Sequence, residues 1–443
     1  MPHVVYIAWG FPPSRSGGVY RQLATANALA QAGYEVTVLT VDRRVFTEIT
    51  GTDPTLEALV DPRIKVLRTR FPWPLRHPDR ATWSPLHRAL PRVWRKLRVA
   101  GELALFPEVH YSAWLRTLGQ ALTAIHRRQP VDLVLASGNP FVAFAAANRF
   151  QRRTGVPYVL DYRDSWILDQ FTGQQRFSDR DRRARLERRI IAAAASVWFV
   201  NSATLDWHAR RYPEAADRFR VVANGWDPDL LDLTALTSAS PSSSAPTFGY
   251  LGTISAKVPI AELVEGWRLA RDQGILPAAA QLKVAGYLGY FGGKPDRHQE
   301  PTAALLEDAA EQGVEFVGPV PKSQVGAFYA SLDVLVLAID AGQYVTTGKV
   351  FEYVATGKPI LSVHPPAAAA SEVLAGYPLW VQVEEVSGPA VAQALGQAMH
   401  LAQHLTPELT AAAQAHGERY QRQHQLGPAI TALSNLIPQS NGK

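Results

Sequence analysis

The chain has no cysteine among its 443 residues. That excludes disulfides, thiolate zinc sites and cysteine nucleophiles. No apolar run reaches the roughly 18 residues that a bilayer-spanning helix needs. The first residues, Met1-Pro-His-Val-Val-Tyr-Ile-Ala-Trp9, read as a strand without a basic leader or a cleavage site. The cytoplasm is therefore the expected compartment. No short-period repeat is visible. The N-terminal strand lacks a Gly-x-Gly-x-x-Gly fingerprint, which argues against a nicotinamide oxidoreductase. Charged residues are only 19% of the chain and hydrophobic ones 47%, a globular composition. The net charge of +6 suits phosphorylated ligands, anionic lipid or nucleic acid and does not choose among them.

What is present is a chain too long for one ordinary core, so two domains are expected. Short apolar strands alternate with helical stretches through the first half, at Val4–Ala8, Glu35–Thr40, Asp132–Ala136, Tyr158–Leu160, Ser196–Val200 and Arg220–Val222. Strands separated by helices predict a parallel sheet in a doubly wound α/β domain. Thr234–Pro246 is rich in serine, alanine and proline, a linker composition. The alternation then restarts at Phe248–Gly252, Gln281–Ala285, Val314–Val317, Val334–Ile339 and Ile360–Val363. The expected organisation is an α/β chain of two Rossmann-like doubly wound domains facing each other across a cleft. They span 1–233 and 247–406, joined by the linker 234–246. A helical segment, 407–443, follows and can return to the N-terminal domain.

The most informative stretch is Thr346 to Ile360. An apolar strand precedes Thr346, Thr347, Gly348 and Lys349, and an amphipathic helix carrying Glu352 follows. A strand, a small-residue loop and a helix N-terminus make a phosphate site, because free N–H groups and the helix dipole both favour an anion. Lys349 adds a positive charge. Glu352 lies one turn on, where a carboxylate can accept ribose hydroxyls. The pattern suggests a nucleotide held by its diphosphate and its sugar.

In open α/β sheets ligands bind beyond the carboxyl ends of the strands, so the other strand-end loops are candidates too. Gly17 and Gly18 follow the first strand; they let backbone approach a ligand, or merely form a tight turn. Ser137 and Asn139 follow another strand. Asp161, Arg163, Asp164 and Trp166 cluster at a third strand end; the plain alternative is an Asp–Arg ion pair beside a packed aromatic. Asn224-Gly-Trp-Asp227 ends the last strand of the first half, where Asn-Gly is an ordinary turn pair. Gly252, Thr253 and Lys257 follow the first strand of the second half; Lys257 either reaches a phosphate or is a solvated lysine at a helix start.

Taken together these residues resemble the GT-B glycosyltransferases, in particular those like family 4, over nearly the whole chain. Gly17-Gly18 looks like the family's N-terminal glycine loop, and Asp161-Tyr-Arg-Asp-Ser-Trp166 is similar to its Asp-Phe-Arg-Asp-Pro-Trp segment. Asn224-Gly-Trp-Asp227 resembles the segment ahead of the interdomain linker. Gly318 to Gln324 and Phe328 to Asp333 look like the stretch ahead of the donor site, and Lys349 to Ile360 like the second half of a Glu-x7-Glu motif. The resemblance implies a hexosyl-type transferase of glycan, glycolipid or natural-product biosynthesis. It implies a nucleotide-diphosphate-sugar donor on the C-terminal domain, a hydroxyl acceptor on the N-terminal one, retention of anomeric configuration and no required cofactor or metal. Its donor residues would be Gly17, Gly18, Gly252, Thr253, Lys257, Thr346, Thr347, Gly348, Lys349 and Glu352. Asp164, Asn139 and Lys349 would be catalytic, and Asp161, Arg163 and Trp166 would meet the acceptor. The pattern departs from the family where Tyr344 takes the place of the first glutamate, Thr253 that of an arginine and Asn139 that of a histidine. Alternatives are a sugar-nucleotide epimerase or hydrolase using Asp161, Asp164 and His110, and a non-catalytic nucleotide-binding scaffold.

Residues 61–100 carry 11 lysines or arginines against Asp61 and Asp79, with Trp73, Trp83, Trp94 and Phe71 interleaved. Arg92–Val99 reads as a short basic amphipathic helix. Such a segment suits an anionic membrane surface, such as the inner face of the plasma membrane, and a lipid-linked acceptor; the alternative is a solvated insertion whose aromatics pack on the domain. No nucleic-acid motif accompanies the charge. The arginine-rich stretch 174–189 reads as a solvated helix of mixed charge.

Overall fold

The computed structural model describes residues 1–71, 80–236, 245–289 and 299–437. Trp73, Asp79 and most of the predicted linker lie outside them. The chain divides into two compact units. The first comprises 1–169, 173–222 and 426–443, and the second comprises 170–172 and 223–425.

The first unit holds seven strands: β1 His3–Ile7, β2 Glu35–Val41, β3 Lys65–Thr69, β4 Leu133–Gly138, β5 Tyr158–Tyr162, β6 Ser196–Phe199 and β7 Phe219–Val221. Their order is β3-β2-β1-β4-β5-β6-β7, and every pairing is parallel. A parallel sheet is covered by helices on both faces, so its inner strands must be apolar throughout. All residues of β1 and β5 are accordingly buried. The order reverses between β1 and β4. At such a switch point the loops diverge and leave a crevice. Residues 8–18 and 139–141 are the loops there.

The second unit repeats the plan with six strands: β8 Thr247–Leu251, β9 Gln281–Ala285, β10 Val314–Gly318, β11 Val334–Ala338, β12 Ile360–Val363 and β13 Trp380–Gln382. The order is β10-β9-β8-β11-β12-β13, again all parallel. Its switch point lies between β8 and β11. The loops after these two strands carry Gly252–Lys257 and Thr346–Gly348.

Three expectations shift. The helix expected over 174–189 is the helix Arg182–Ala193; Asp181 caps it by accepting the Arg183 N–H, and 174–181 is irregular. The division between units falls after Val222 rather than at 233. Trp226 explains this, because its indole N–H donates to the Gly417 carbonyl and its main chain pairs with Tyr420 and Arg422, all in the second unit. The C-terminal stretch is likewise split: the helix Pro407–Glu418 packs on the second unit, whereas Leu426, Ile430 and Leu433 join the first unit's core.

Candidate functional site

In the second unit the helix Gly348–Thr356 starts where the loop after β11 ends. Thr347 caps it by accepting the Lys349 N–H. Val350, Phe351, Tyr353 and Val354 face the core, which leaves Gly348, Lys349 and Glu352 on the outer side. Gly357, at φ +71°, ends the helix in the left-handed region that favours glycine. A side chain there would also run into Gln414 and Thr410.

Glu352 is the centre of a charged cluster. Its Oε1 accepts from Lys322 Nζ at 2.7 Å. Its Oε2 accepts from Lys349 Nζ at 2.9 Å and from the Tyr329 hydroxyl at 2.6 Å. Lys349 also reaches that hydroxyl at 3.3 Å. Burial alone would raise the Glu352 pKa, but the adjacent Lys349 and Lys322 charges outweigh it and hold the carboxyl well below its usual range. Burial pulls Lys322 down, against the attraction of Glu352. Two cations against one carboxylate leave an excess positive charge at a helix N-terminus. Lys349 keeps 28% of its side chain exposed and Lys322 20%, so both can still meet a ligand. A carboxylate offers about four acceptor positions, of which this cluster uses three.

Lys322 and Tyr329 lie within the segments 318–324 and 328–333 that resemble the family, and no site role was expected of either. They come from the loop after β10 and from the helix Val325–Ala330. Thirty residues separate Lys322 from Glu352, so no local spacing announces the pair. Lys358, in the same resembling segment, has another job. It donates to the Ala330 and Leu332 carbonyls and caps the 325–330 helix. Of the other donor candidates, Thr346 and Thr347 are partly exposed beside Lys349, and Gly348 has open space around it. At the second switch loop Thr253 and Lys257 are exposed, whereas Gly252 lies close under the Tyr250 hydroxyl. Tyr344 is buried.

In the first unit, Asp161 is fully buried and clamped by Arg21, whose Nη2 donates at 2.7 Å and Nε at 3.0 Å. That engages the carboxylate inside the protein, as in the plain ion-pair alternative. Trp166 is also buried and stacks on Phe141 and Phe106. Asn139 is exposed at these strand ends, and Arg163 and Asp164 are partly exposed and paired at 3.1 Å. Gly18 is fixed by close approach: a Cβ there would lie 1.5 Å from Arg163 Nη1. Gly17, beside it, is exposed. The helix Val142–Thr154 begins next to Asn139, and Glu108 accepts the N–H groups of Phe141 and Val142 at its start. Burial pushes the Glu108 carboxyl up to about 7, although both hydrogen bonds pull the other way. His110, the remaining acid/base candidate, is half-buried and donates its main-chain N–H to Glu102 at 2.9 Å.

Residues 16–225 match the family model described as "Glycosyl transferase 4-like domain". No curated protein matches the chain in sequence. Solved structures with the same fold include a glycosyltransferase from Rickettsia africae, at 13% identity and TM-score 0.66 over 99% of both chains. HepE from Anabaena, solved in complex with UDP, aligns at 14% identity and TM-score 0.65 over 98% of this chain and 100% of its own. A sucrose-phosphate synthase from Thermosynechococcus elongatus aligns at 15% and 0.62, over 98% and 100%. No helix among the described residues is long and apolar enough to cross a membrane.

Proposed function

For a GT-B protein carrying a glycosyl transferase 4-like domain, a glycosyltransferase, we propose a nucleotide-diphosphate sugar as donor and a hydroxyl group as acceptor. The single observation that carries the donor assignment is the Lys322–Glu352–Lys349 cluster at the start of the 348–356 helix. Its excess positive charge, next to the helix N–H groups, suits a diphosphate. The remaining acceptor position of Glu352 suits a ribose hydroxyl. HepE, solved with UDP and also with UDP and glucose, is consistent with that donor class.

The chemistry asked of the chain is modest. Breaking the bond from sugar to diphosphate puts an oxocarbenium-like charge on the sugar and one more negative charge on the leaving diphosphate, at its terminal phosphate. Lys349 and Lys322 stabilise that charge as it develops, the largest kind of catalytic contribution in many enzymes. Lys349 must then partly exchange Glu352 for the diphosphate, and Glu352 and Tyr329 hold it ready meanwhile. Asn139, Arg163 and Asp164 are our candidates for orienting the acceptor, with retention of configuration and without a metal. Asp161 is assigned a positioning role through Arg21, and Gly18 one through Arg163. The engagement of Asp161 by Arg21 also removes one acid/base candidate from the epimerase reading.

The test is a thermal-shift panel of nucleoside diphosphates and their sugars, followed by product analysis with and without acceptor. A ligand that binds only the folded chain raises the melting temperature by mass action. Stabilisation by one nucleoside diphosphate, with its sugar consumed only when an acceptor is present, supports transfer. Conversion of the donor by itself would mark an epimerase or hydrolase instead.

A further inference from the structure

The helix Pro91–Leu105 of the first unit, with the residue before it, turns an apolar stripe to water. At 100° per residue, Leu90, Val93 and Leu97 fall within an arc of about 60°. That apolar stripe should face the core. Instead Leu90 is 53%, Val93 45% and Leu97 61% exposed. Arg92, Arg95 and Lys96 are exposed beside this stripe, and the buried residue of the helix is Glu102. Its carboxylate accepts the main-chain N–H of His110. Arg182 fastens the helix end by donating to the Leu103 and Ala104 carbonyls at 2.6 and 2.9 Å. The short helix Pro85–Ala89 adds Leu86, 48% exposed. It is held in place by a ring stack in which His87 lies 3.8 Å from both Trp83 and Trp94. An apolar surface fastened outward in this way marks an interaction site.

The charge beside it tells which kind. Leu86, Leu97 and Leu105, with Arg98, Glu102 and Arg116, line a groove of about 720 Å³ against the helix Trp114–Arg128. A second groove of about 450 Å³ runs between that helix and the helix Val142–Thr154. Arg116 and Gln120 line both, so the two grooves lie side by side along that helix. Arg116, Arg127, Arg149 and Arg153 line the second groove, and no carboxylate does. None of these four forms an ion pair among the described residues. Burial and the neighbouring Arg153 and Arg182 charges press the Arg149 pKa down. Exposed leucines beside a groove of unneutralised arginines match a molecule with an apolar tail and a phosphate head.

We propose that this face docks on a bilayer of anionic lipids, with Leu86, Leu90, Val93 and Leu97 entering the interface and the arginine groove holding lipid phosphates. Exposed leucines gain by leaving water, and each arginine near an anionic surface adds to the attraction. The proposal stands on the first unit alone and is independent of the donor reading.

Flotation of the full chain with phosphatidylcholine vesicles, with and without phosphatidylglycerol, tests it. The wild type should float with the anionic vesicles and bind the neutral ones far less. Replacing Arg127, Arg149 and Arg153 with glutamine should cost about 100-fold in affinity for anionic vesicles, at about 1 kcal/mol per arginine. Leu90→Gln with Leu97→Gln should lower binding to both vesicle types. Unchanged melting of each variant shows that it is folded. If a variant does not fold, hydrogen exchange on the wild type still decides, since anionic vesicles should protect the amides of residues 86–105. Equal binding to both vesicle types, no binding, or no protection overturns the proposal. So does complete displacement by millimolar pyrophosphate, which would identify a free-phosphate site, or competition by an RNA oligonucleotide at matched charge.

Discussion

Replacing Glu352 with glutamine separates the two halves of the proposed donor grip. The change keeps shape and one carbonyl acceptor but deletes the charge that holds Lys322 at 2.7 Å and Lys349 at 2.9 Å. For inorganic pyrophosphate the effect should be favourable. Glu352 no longer competes for the lysines, and its repulsion of the diphosphate disappears. For the nucleoside part the effect should be unfavourable. A hydrogen bond to a charged group contributes about 1.5–3 kcal/mol, and one to a neutral amide oxygen about 0.5–1.5 kcal/mol. The loss is then about 1.4 kcal/mol, a factor of ten. Absolute affinity for a nucleoside diphosphate mixes both effects, but the ratio of the two affinities does not. Calorimetry on both ligands should give a nucleoside-over-pyrophosphate preference about tenfold smaller in Glu352→Gln. An unchanged preference would refute contact between Glu352 and ribose, whatever happens to either affinity alone.

The other predictions concern turnover, stability and pH. Lys349→Ala should lower turnover about 100-fold with a smaller change in KM, because its charge acts mainly as the leaving group forms; an equal loss in donor affinity with turnover intact would contradict this. Asp161→Asn leaves Arg21 buried without a counter-charge and should cost about 3–5 kcal/mol in urea unfolding of the first unit; a loss under 1 kcal/mol would mean that the pair is dispensable. Glu187 accepts from Tyr162 at 3.0 Å and Tyr212 at 2.6 Å, and burial pushes its carboxyl up to about 7. An unfolded glutamate ionises at about 4.3, so the folded chain holds the extra proton between those values and loses stability as pH rises through that window. Glu187→Gln should therefore gain on the wild type by about 2 kcal/mol between pH 5 and 7; parallel stability curves would show that Glu187 does not titrate there.

Much of this was legible from sequence because inner strands of parallel sheets are continuous apolar runs. The two strands that escaped notice are both at sheet edges. β3 sets Val66 and Leu67 between Lys65 and Arg68 inside the basic stretch, and β13 is three residues long. Edge strands are short and charged because an exposed apolar edge would recruit other chains. The 348–356 helix was readable for the opposite reason, since its cap, charge and terminating glycine are all local. What the sequence could not supply was pairing over distance. Nothing near Arg21 indicates Asp161, 140 positions away, and nothing near Glu352 indicates Lys322. Strand-end loops tell where ligands meet the sheet, but not which carboxylates are already taken.

The central claim is that the lysine–glutamate cluster holds a sugar donor for transfer. It is tested most directly by following a radiolabelled nucleotide sugar in the wild type and in Lys349→Ala. The donor for this assay is the one that best stabilises the chain against heat, and a panel of hydroxyl acceptors is offered. Label should appear on an acceptor, with one nucleoside diphosphate released per sugar moved, and both should be nearly lost in the variant. Label that stays on the nucleotide across the panel, or transfer that proceeds equally without the Lys349 charge, would contradict it.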